Sequence, residues 1–336
     1  MQKEAMLYQT LEDDRVRCRL CAHYCKIDPQ AYGFCGVRRN IDGRLHTLVY
    51  GETIARHVDP IEKKPLYHFL PGSRAYSIAT PGCNFHCDFC QNWQISQLSG
   101  DYTPVNRTPS FPPEAVVGAA QENNCDVIAY TYTEPTIFFE YAYDTARLAQ
   151  KAGIRNVFVT NGYMSPKAVE AVSPYLDGAN VDLKAWSESY YATHCRAHLK
   201  PVLDTIRRMK EAGIWLEITT LIIPGENDAP DQLTDLTRFI AGVDENIPWH
   251  ISRFHPDYRL TDAQATPMET LHQAKAIGEH AGLRFIYIGN APADNTTYCP
   301  ECGQPVVERD GMGVKNIRIK DHACGACGTR IPGVWE

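Results

Sequence analysis

From residue 74 to residue 288, short apolar runs alternate with helical stretches at intervals that suit parallel βα units. Strands are expected near 75–80, 127–132, 155–160, 178–183, 214–222, 249–254 and 284–288. Helical periodicity covers 114–124, 136–152, 166–175, 201–213, 230–242 and 268–282. Pro113, Pro135, Pro166 and Pro230 fall where helices begin, where a missing amide costs nothing. Gly153, Gly213 and Gly282 fall where three of them end. Six or seven such units in succession imply an α/β fold, a partial (β/α)6-type TIM barrel with its chemistry at the C-terminal ends of the strands.

The polar residues follow that geometry. A cysteine loop comes after the first strand, Glu134 after the second, Thr160 and Asn161 after the third, and Asp182 and Lys184 after the fourth. Pro224 and Gly225 follow the fifth and His255 the sixth. Independent landing on one rim is what an active site needs.

Of 13 cysteines, only Cys125 and Cys195 stand outside three tight clusters, and clustering of that kind in a reducing compartment points to metal rather than disulfide. Cys83, Cys87 and Cys90 are spaced C-x3-C-x2-C. The same spacing would place them on one face of a packed helix, but Pro81 and Gly82 argue against a helix starting earlier. Three thiolates on a four-iron cubane leave one iron open. An open iron can chelate the amine and carboxylate of S-adenosylmethionine (SAM), and the cluster can pass an electron to the adjacent sulfonium. Glu134 would meet the SAM ammonium and Lys184 its carboxylate.

The other two clusters are closed sets. Cys18, Cys21, Cys25 and Cys35 would hold either a tetrahedral zinc or a second iron–sulfur cluster, and the spacing does not choose between them. His23, inside that set, reads as a surface loop residue. Cys299, Cys302, Cys324 and Cys327 form two C-x2-C knuckles, the pattern of a ribbon folded by zinc. Such a tail would be structural or a lid over the barrel rim. The expected division is a Cys-rich N-terminal segment at 1–73, a partial barrel at 74–290 and a metal ribbon at 291–336.

With 33 basic and 40 acidic residues the net charge is −7, which offers no general attraction to nucleic acid, and the pairs Arg38-Arg39, Lys63-Lys64 and Arg207-Arg208 read as solvated faces. Tyr130, Tyr132, Phe138 and Phe139 read as core. The charged N-terminus and the lack of any bilayer-length apolar run lead to the expectation of a cytoplasmic protein with no membrane association.

The loop Thr80–Trp93, with Phe89 before the last cysteine, resembles the signature of the radical SAM superfamily. The strings Asp59–Ser73 and Cys90–Gln97 resemble a narrower group, the radical SAM protein of the AmmeMemoRadiSam system, which is similar to pyruvate formate-lyase-activating enzymes. The resemblance implies a [4Fe-4S] cluster on Cys83, Cys87 and Cys90, SAM as cofactor, and a flavodoxin or ferredoxin as reductant. Thr133-Glu134-Pro135 resembles the Gly-Gly-Glu-Pro region that meets the SAM amino group, with Tyr132 and Thr133 in place of both glycines. Thr160-Asn161-Gly162, Asp182-Leu183-Lys184 and His255 resemble further SAM-holding elements of activating enzymes. Those enzymes build a monovalent-cation site from an aspartate and a methionine where this chain has Val159 and Asn180, so the resemblance does not extend to that site.

The implied activity is reductive cleavage of SAM to a 5′-deoxyadenosyl radical that abstracts hydrogen from an unidentified substrate, with Memo-like and AMMECR-type partner proteins. Activation of a glycyl-radical enzyme is the nearer alternative. A multi-cluster electron-transfer protein is the alternative of another class, and it would need neither Glu134 nor Lys184 nor His255.

Overall fold

The computed structural model describes residues 2–98 and 110–336. Seven strands, Arg74–Ala79, Val127–Tyr130, Arg155–Thr160, Gly178–Asp182, Trp215–Ile222, Trp249–Arg253 and Ile286–Gly289, pair in parallel and in chain order. Their runs are apolar on both faces, as Ile128, Val157, Phe158, Val181, Ile218 and Ile251 at 0% exposure show, because helices cover one face and side chains fill the other. The order never reverses, so successive crossovers wind one way and leave all the strand C-termini along one edge.

The helices Pro113–Glu122, Phe139–Lys151, Pro166–Val172, Leu199–Glu211, Pro230–Asp244 and Met268–His280 follow the expected positions. Two differ locally. The stretch expected to be helical from 136 begins as a tight 3-10 turn, Pro135–Phe138, because the Glu134 side chain accepts from the Thr136 amide. The one expected to reach 175 leaves α geometry after Val172, where Pro174 removes an amide.

One strand lies before residue 74 and still belongs to the main sheet. Ala55–Pro60 runs antiparallel to Arg74–Ala79 over six residue pairs and covers that edge. Two small antiparallel sheets precede it, Tyr8–Thr10 with Val16–Cys18 and Lys26–Ile27, and Lys3–Glu4 with Arg44–Thr47 and Arg38–Ile41. Arg38 and Glu140, 2% and 0% exposed, pair at 2.9 Å and tie this segment to helix Phe139–Lys151.

The tail docks at the opposite end of the sheet from the cysteine loop. His68 Nδ1 meets the Pro332 carbonyl at 2.7 Å, the Leu70 amide donates to the Val334 carbonyl and the Val334 amide to the His68 carbonyl, and Arg309 donates to the Tyr67 carbonyl. These partners surround Glu217, near the start of strand Trp215–Ile222, which accepts from the Tyr67 and His68 amides and from His250. A lid over the rim is therefore ruled out for this tail: its anchoring residues sit at the strands' N-terminal ends.

Burial holds the His68 imidazole down to about 4. Burial raises Glu217, but the His250 hydrogen bond, with that of the Tyr67 amide, outweighs it and leaves it below the usual carboxylate range. His68 is neutral in the folded protein and takes a proton in the unfolded chain below about pH 6.5. Stability is therefore present above pH 6.5 and falls as pH drops toward 4, by about 3 kcal/mol for this group, with Glu217 adding loss at the acid end. Urea unfolding monitored by tryptophan fluorescence at pH 7.5, 6 and 5 should show the midpoint falling with pH.

Candidate active site

The cysteine loop leaves strand Arg74–Ala79 through Gly82, at φ +97°, where a Cβ would lie 2.8 Å from Val37 and 3.2 Å from the Cys35 carbonyl oxygen. Only glycine lets the loop rest on the N-terminal segment so closely. Cys83, Cys87 and Cys90 then line one wall of a cavity of about 530 Å3. Glu134, Thr160, Asn161, Asp182 and Lys184 line the same cavity, brought there by consecutive strand ends. His255 is not among its lining residues. It is exposed at the margin, with a ring nitrogen 3.3 Å from the amide of Gln91, which does line it.

Glu134 is 1% exposed and its carboxylate is fully engaged. Oε1 accepts from the Thr136 amide at 2.9 Å and the Thr160 hydroxyl at 2.7 Å, as well as the Thr136 hydroxyl, and Oε2 accepts from the Asn161 amide at 2.8 Å. Burial raises its pKa, with those donors pulling the other way. The carboxylate thus knits the second and third strand ends together. Asn161 continues the chain of contacts, donating to Asn84 Oδ1 at 2.8 Å with its amide 3.8 Å from Cys83 Sγ. Gly162, at φ +69°, has Val181 2.8 Å from its missing Cβ and makes that turn possible.

Lys184 Nζ lies 2.9 Å from Asp182, and the Tyr191 hydroxyl accepts its amide at 3.0 Å. Burial alone would lower the lysine pKa, but Asp182 and the sulfurs of Cys87 and Cys195 hold it well above the usual value. A fixed cation therefore faces the cysteine wall.

Burial favours the protonated form of all three thiols in the metal-free chain. Burial pushes Cys83 well above its usual pKa, with the Glu134 charge adding to it. The Cys195 hydrogen bond and burial do the same for Cys87. Such thiols ionise when a metal takes the proton's place. The Phe85 amide donates to Cys83 Sγ at 3.3 Å and the Ser96 hydroxyl lies 3.1 Å from Cys90 Sγ, as thiolate sulfur requires. The Thr219 hydroxyl, of a buried residue that also lines the cavity, has no hydrogen-bond partner among the described residues.

Several residues stand elsewhere than the sequence suggests, among them Arg38, which is buried at 2% exposure on Glu140 rather than on a solvated face. Lys63 and Lys64 both line this cavity and bind Asp59, at 2.8 and 2.7 Å; Lys63 keeps an exposed, solvated side chain, whereas Lys64 is 1% exposed and leaves the solvated face. Tyr132 is not core but cavity wall, at φ +62°, with its hydroxyl on Asp59 and its carbonyl held by Asn92 at 2.8 Å. His23 is half-buried, 2.7 Å from the Asn84 carbonyl and with its ring 4.2 Å from that of Phe34 in a tilted contact, because the N-terminal loop packs on the cysteine loop. Cys195, set apart in the sequence, ends a π-turn, Tyr191–Cys195, that is docked on the cysteine loop by the His86 and Asp88 amides. Nothing local in the sequence marks it.

The two quartets differ from each other. Cys18, Cys21, Cys25 and Cys35 line a small cavity together with Arg38. In the C-terminal quartet Cys299 and Cys327 are 3.7 Å apart, as are Cys302 and Cys324, and all four sulfurs lie within 4.8 Å of one another.

Comparison with known proteins places these features. The family model described as the radical SAM superfamily matches residues 77–237. An uncharacterized protein of Methanocaldococcus jannaschii is 42% identical over 334 residues, covering 98% of each chain. A second protein of that organism, named as a glycyl-radical enzyme activating enzyme, is 23% identical over 214 residues, 60% of this chain and 75% of the other. Streptococcus suis SuiB bound to S-adenosylmethionine shares the fold at 13% identity, with a TM-score of 0.50 over 69% of this chain and 53% of that one. The matched segment takes in the cysteine loop, Glu134, Asn161 and Lys184, and over it the chain carries a radical SAM superfamily domain.

Proposed function

We propose that this protein cleaves SAM reductively and directs the resulting radical at a substrate held in the same cavity. The observation that carries the reading is the convergence of Cys83, Cys87 and Cys90 with Asn161, Asp182 and Lys184 around one space of about 530 Å3. Cys83, Cys87 and Cys90 would hold a [4Fe-4S] cluster, which when bound would supply the one electron that SAM cleavage requires. The chain's own residues bind, orient and enclose. Lys184 offers a cation to the SAM carboxylate, and Asn161, Thr160 and Asp182 offer polar partners along the strand ends. Glu134, already saturated with donors, acts on the SAM ammonium through the loop it holds, whose residues 131–133 line the cavity. His255 joins at the margin through Gln91.

The open sheet, in this reading, is the wall of a partial barrel, flanked by the N-terminal segment 1–73 and the ribbon 291–336, with Ala55–Pro60 lent to the barrel's edge. The substrate lies toward Lys63, Lys64 and Tyr132, where two lysines and one aspartate leave a positive excess suited to an anionic group. Memo-like and AMMECR-type proteins are the proposed partners, a flavodoxin or ferredoxin the electron donor, the cytoplasm the compartment, and zinc the occupant of the C-terminal quartet. A glycyl-radical partner protein is the second reading, supported by the relative named for that activation.

The test is anaerobic reconstitution with iron and sulfide, reduction with dithionite and SAM, and chromatography for 5′-deoxyadenosine; a cluster-loaded sample that binds no SAM would refute the reading. Lys184→Met should raise the SAM dissociation constant about tenfold or more by calorimetry while leaving the iron content unchanged, since it removes one charge-assisted contact.

A further inference from the structure

The sequence leaves the N-terminal quartet open between zinc and an iron–sulfur cluster, and the geometry separates them. Four thiolates on one zinc ion, each bond about 2.3 Å, stand about 3.8 Å apart and close on the ion without leaving a void. The C-terminal quartet has that form, with sulfur pairs at 3.7 Å. Among the described residues it is also the set of ligand atoms that all fall within 4.8 Å of one another. Cys18, Cys21, Cys25 and Cys35 instead surround a cavity of about 20 Å3, with Leu20, Ile27 and Ile137 as apolar walls. A shell of thiols around a central void is what a cubane's corners need, because each sulfur binds a different iron and stands back from the centre. The trio Cys83, Cys87 and Cys90 also lines a void rather than a point.

The position of the quartet adds a second, independent observation. Cys35 lines both this cavity and a neighbouring one of about 430 Å3, and Cys83 lines that neighbour and the SAM cavity beyond it. The Cys35 carbonyl would sit 3.2 Å from a Cβ on Gly82, so the two cysteine loops are in direct contact. His23 on the Asn84 carbonyl at 2.7 Å and the Phe34–His86 stack at 4.4 Å complete the seam. A zinc ion would need no such proximity, since it carries no redox chemistry.

We infer that Cys18, Cys21, Cys25 and Cys35 hold a second four-iron cluster, seated against the loop of the first, while the C-terminal quartet alone takes zinc. Bound there, the cluster stores one electron from a low-potential protein donor of the flavodoxin or ferredoxin class beside the site where one electron is consumed per SAM cleaved. The inference rests on the radical SAM reading only for that use; the site itself stands on its own geometry.

Metal analysis of the full chain, reconstituted anaerobically with iron, sulfide and zinc supplied together, should give about eight iron, eight sulfide and one zinc per chain. About four iron and two zinc would overturn the inference. Cys21→Ser with Cys35→Ser should lose half the iron and keep the zinc, whereas Cys83→Ser with Cys87→Ser should lose the other half. If the first pair fails to fold, electron paramagnetic resonance of the reduced wild type still decides: two cluster signals are expected, of which SAM shifts one. A single signal wholly responsive to SAM would refute the second cluster. Eight iron with no 5′-deoxyadenosine would instead count against the proposed activity and leave this site in place.

Discussion

A Cys87→Ala variant, reconstituted and reduced beside the wild type, is expected to form no 5′-deoxyadenosine above background. The chain has three cysteines to offer the catalytic cluster, and removing one leaves two irons without a thiolate. Background formation is the expected result because the radical chemistry belongs to the cluster and the protein only binds and orients it. The control is Cys195→Ala, which removes a fully buried sulfur in contact with Cys87 but outside the trio. That variant should keep its cluster and most of its SAM cleavage, at a stability cost of about 1–2 kcal/mol for the small cavity it leaves. Loss of iron in both variants alike would show that Cys195 takes part in holding the cluster.

Glu134→Ala carries the second large effect, and here it falls on stability as well as on SAM. Its carboxylate accepts from Thr136, Thr160 and Asn161 at 1% exposure, so truncation strands four donors in a buried site. The expected loss is about 3–5 kcal/mol, read as a fall in the urea midpoint with an unchanged slope. The SAM dissociation constant should rise by about a factor of ten or more, because the turn that aims Asn161 and the loop at 131–133 loses its common anchor. Glu134→Asp, whose shorter arm reaches one strand end but not both, should fall between the two. A stable Glu134→Ala protein with weakened SAM binding would instead indicate direct contact with the cofactor.

How much of this was legible beforehand depends on the range over which each feature is encoded. The seven parallel strands lie within two residues of their expected bounds because a buried strand is a short apolar run that needs no partner to be recognised. The starts at Pro113, Pro166 and Pro230 were legible for the same reason. The convergence of Glu134, Thr160, Asn161, Asp182 and Lys184 followed from strand order alone, since a singly wound parallel sheet puts every strand end on one edge. The π-turn Tyr191–Cys195 and the edge strand Ala55–Pro60 were not visible in that way. Neither has a periodicity of its own.

What the sequence by itself determined is the element order, the three cysteine sets and the rim on which the polar residues meet, all carried by patterns within one loop or one strand. The tertiary structure alone decided that Lys63 and Lys64 line the cavity, that Tyr132 enters its wall at positive φ, that Cys195 reaches Cys87, and that the ribbon docks at the far end on His68 and Glu217. Each of these joins residues dozens to hundreds of positions apart. Such contacts are selected by burial and by the pairing of buried charge once the sheet exists, and no local spacing records them.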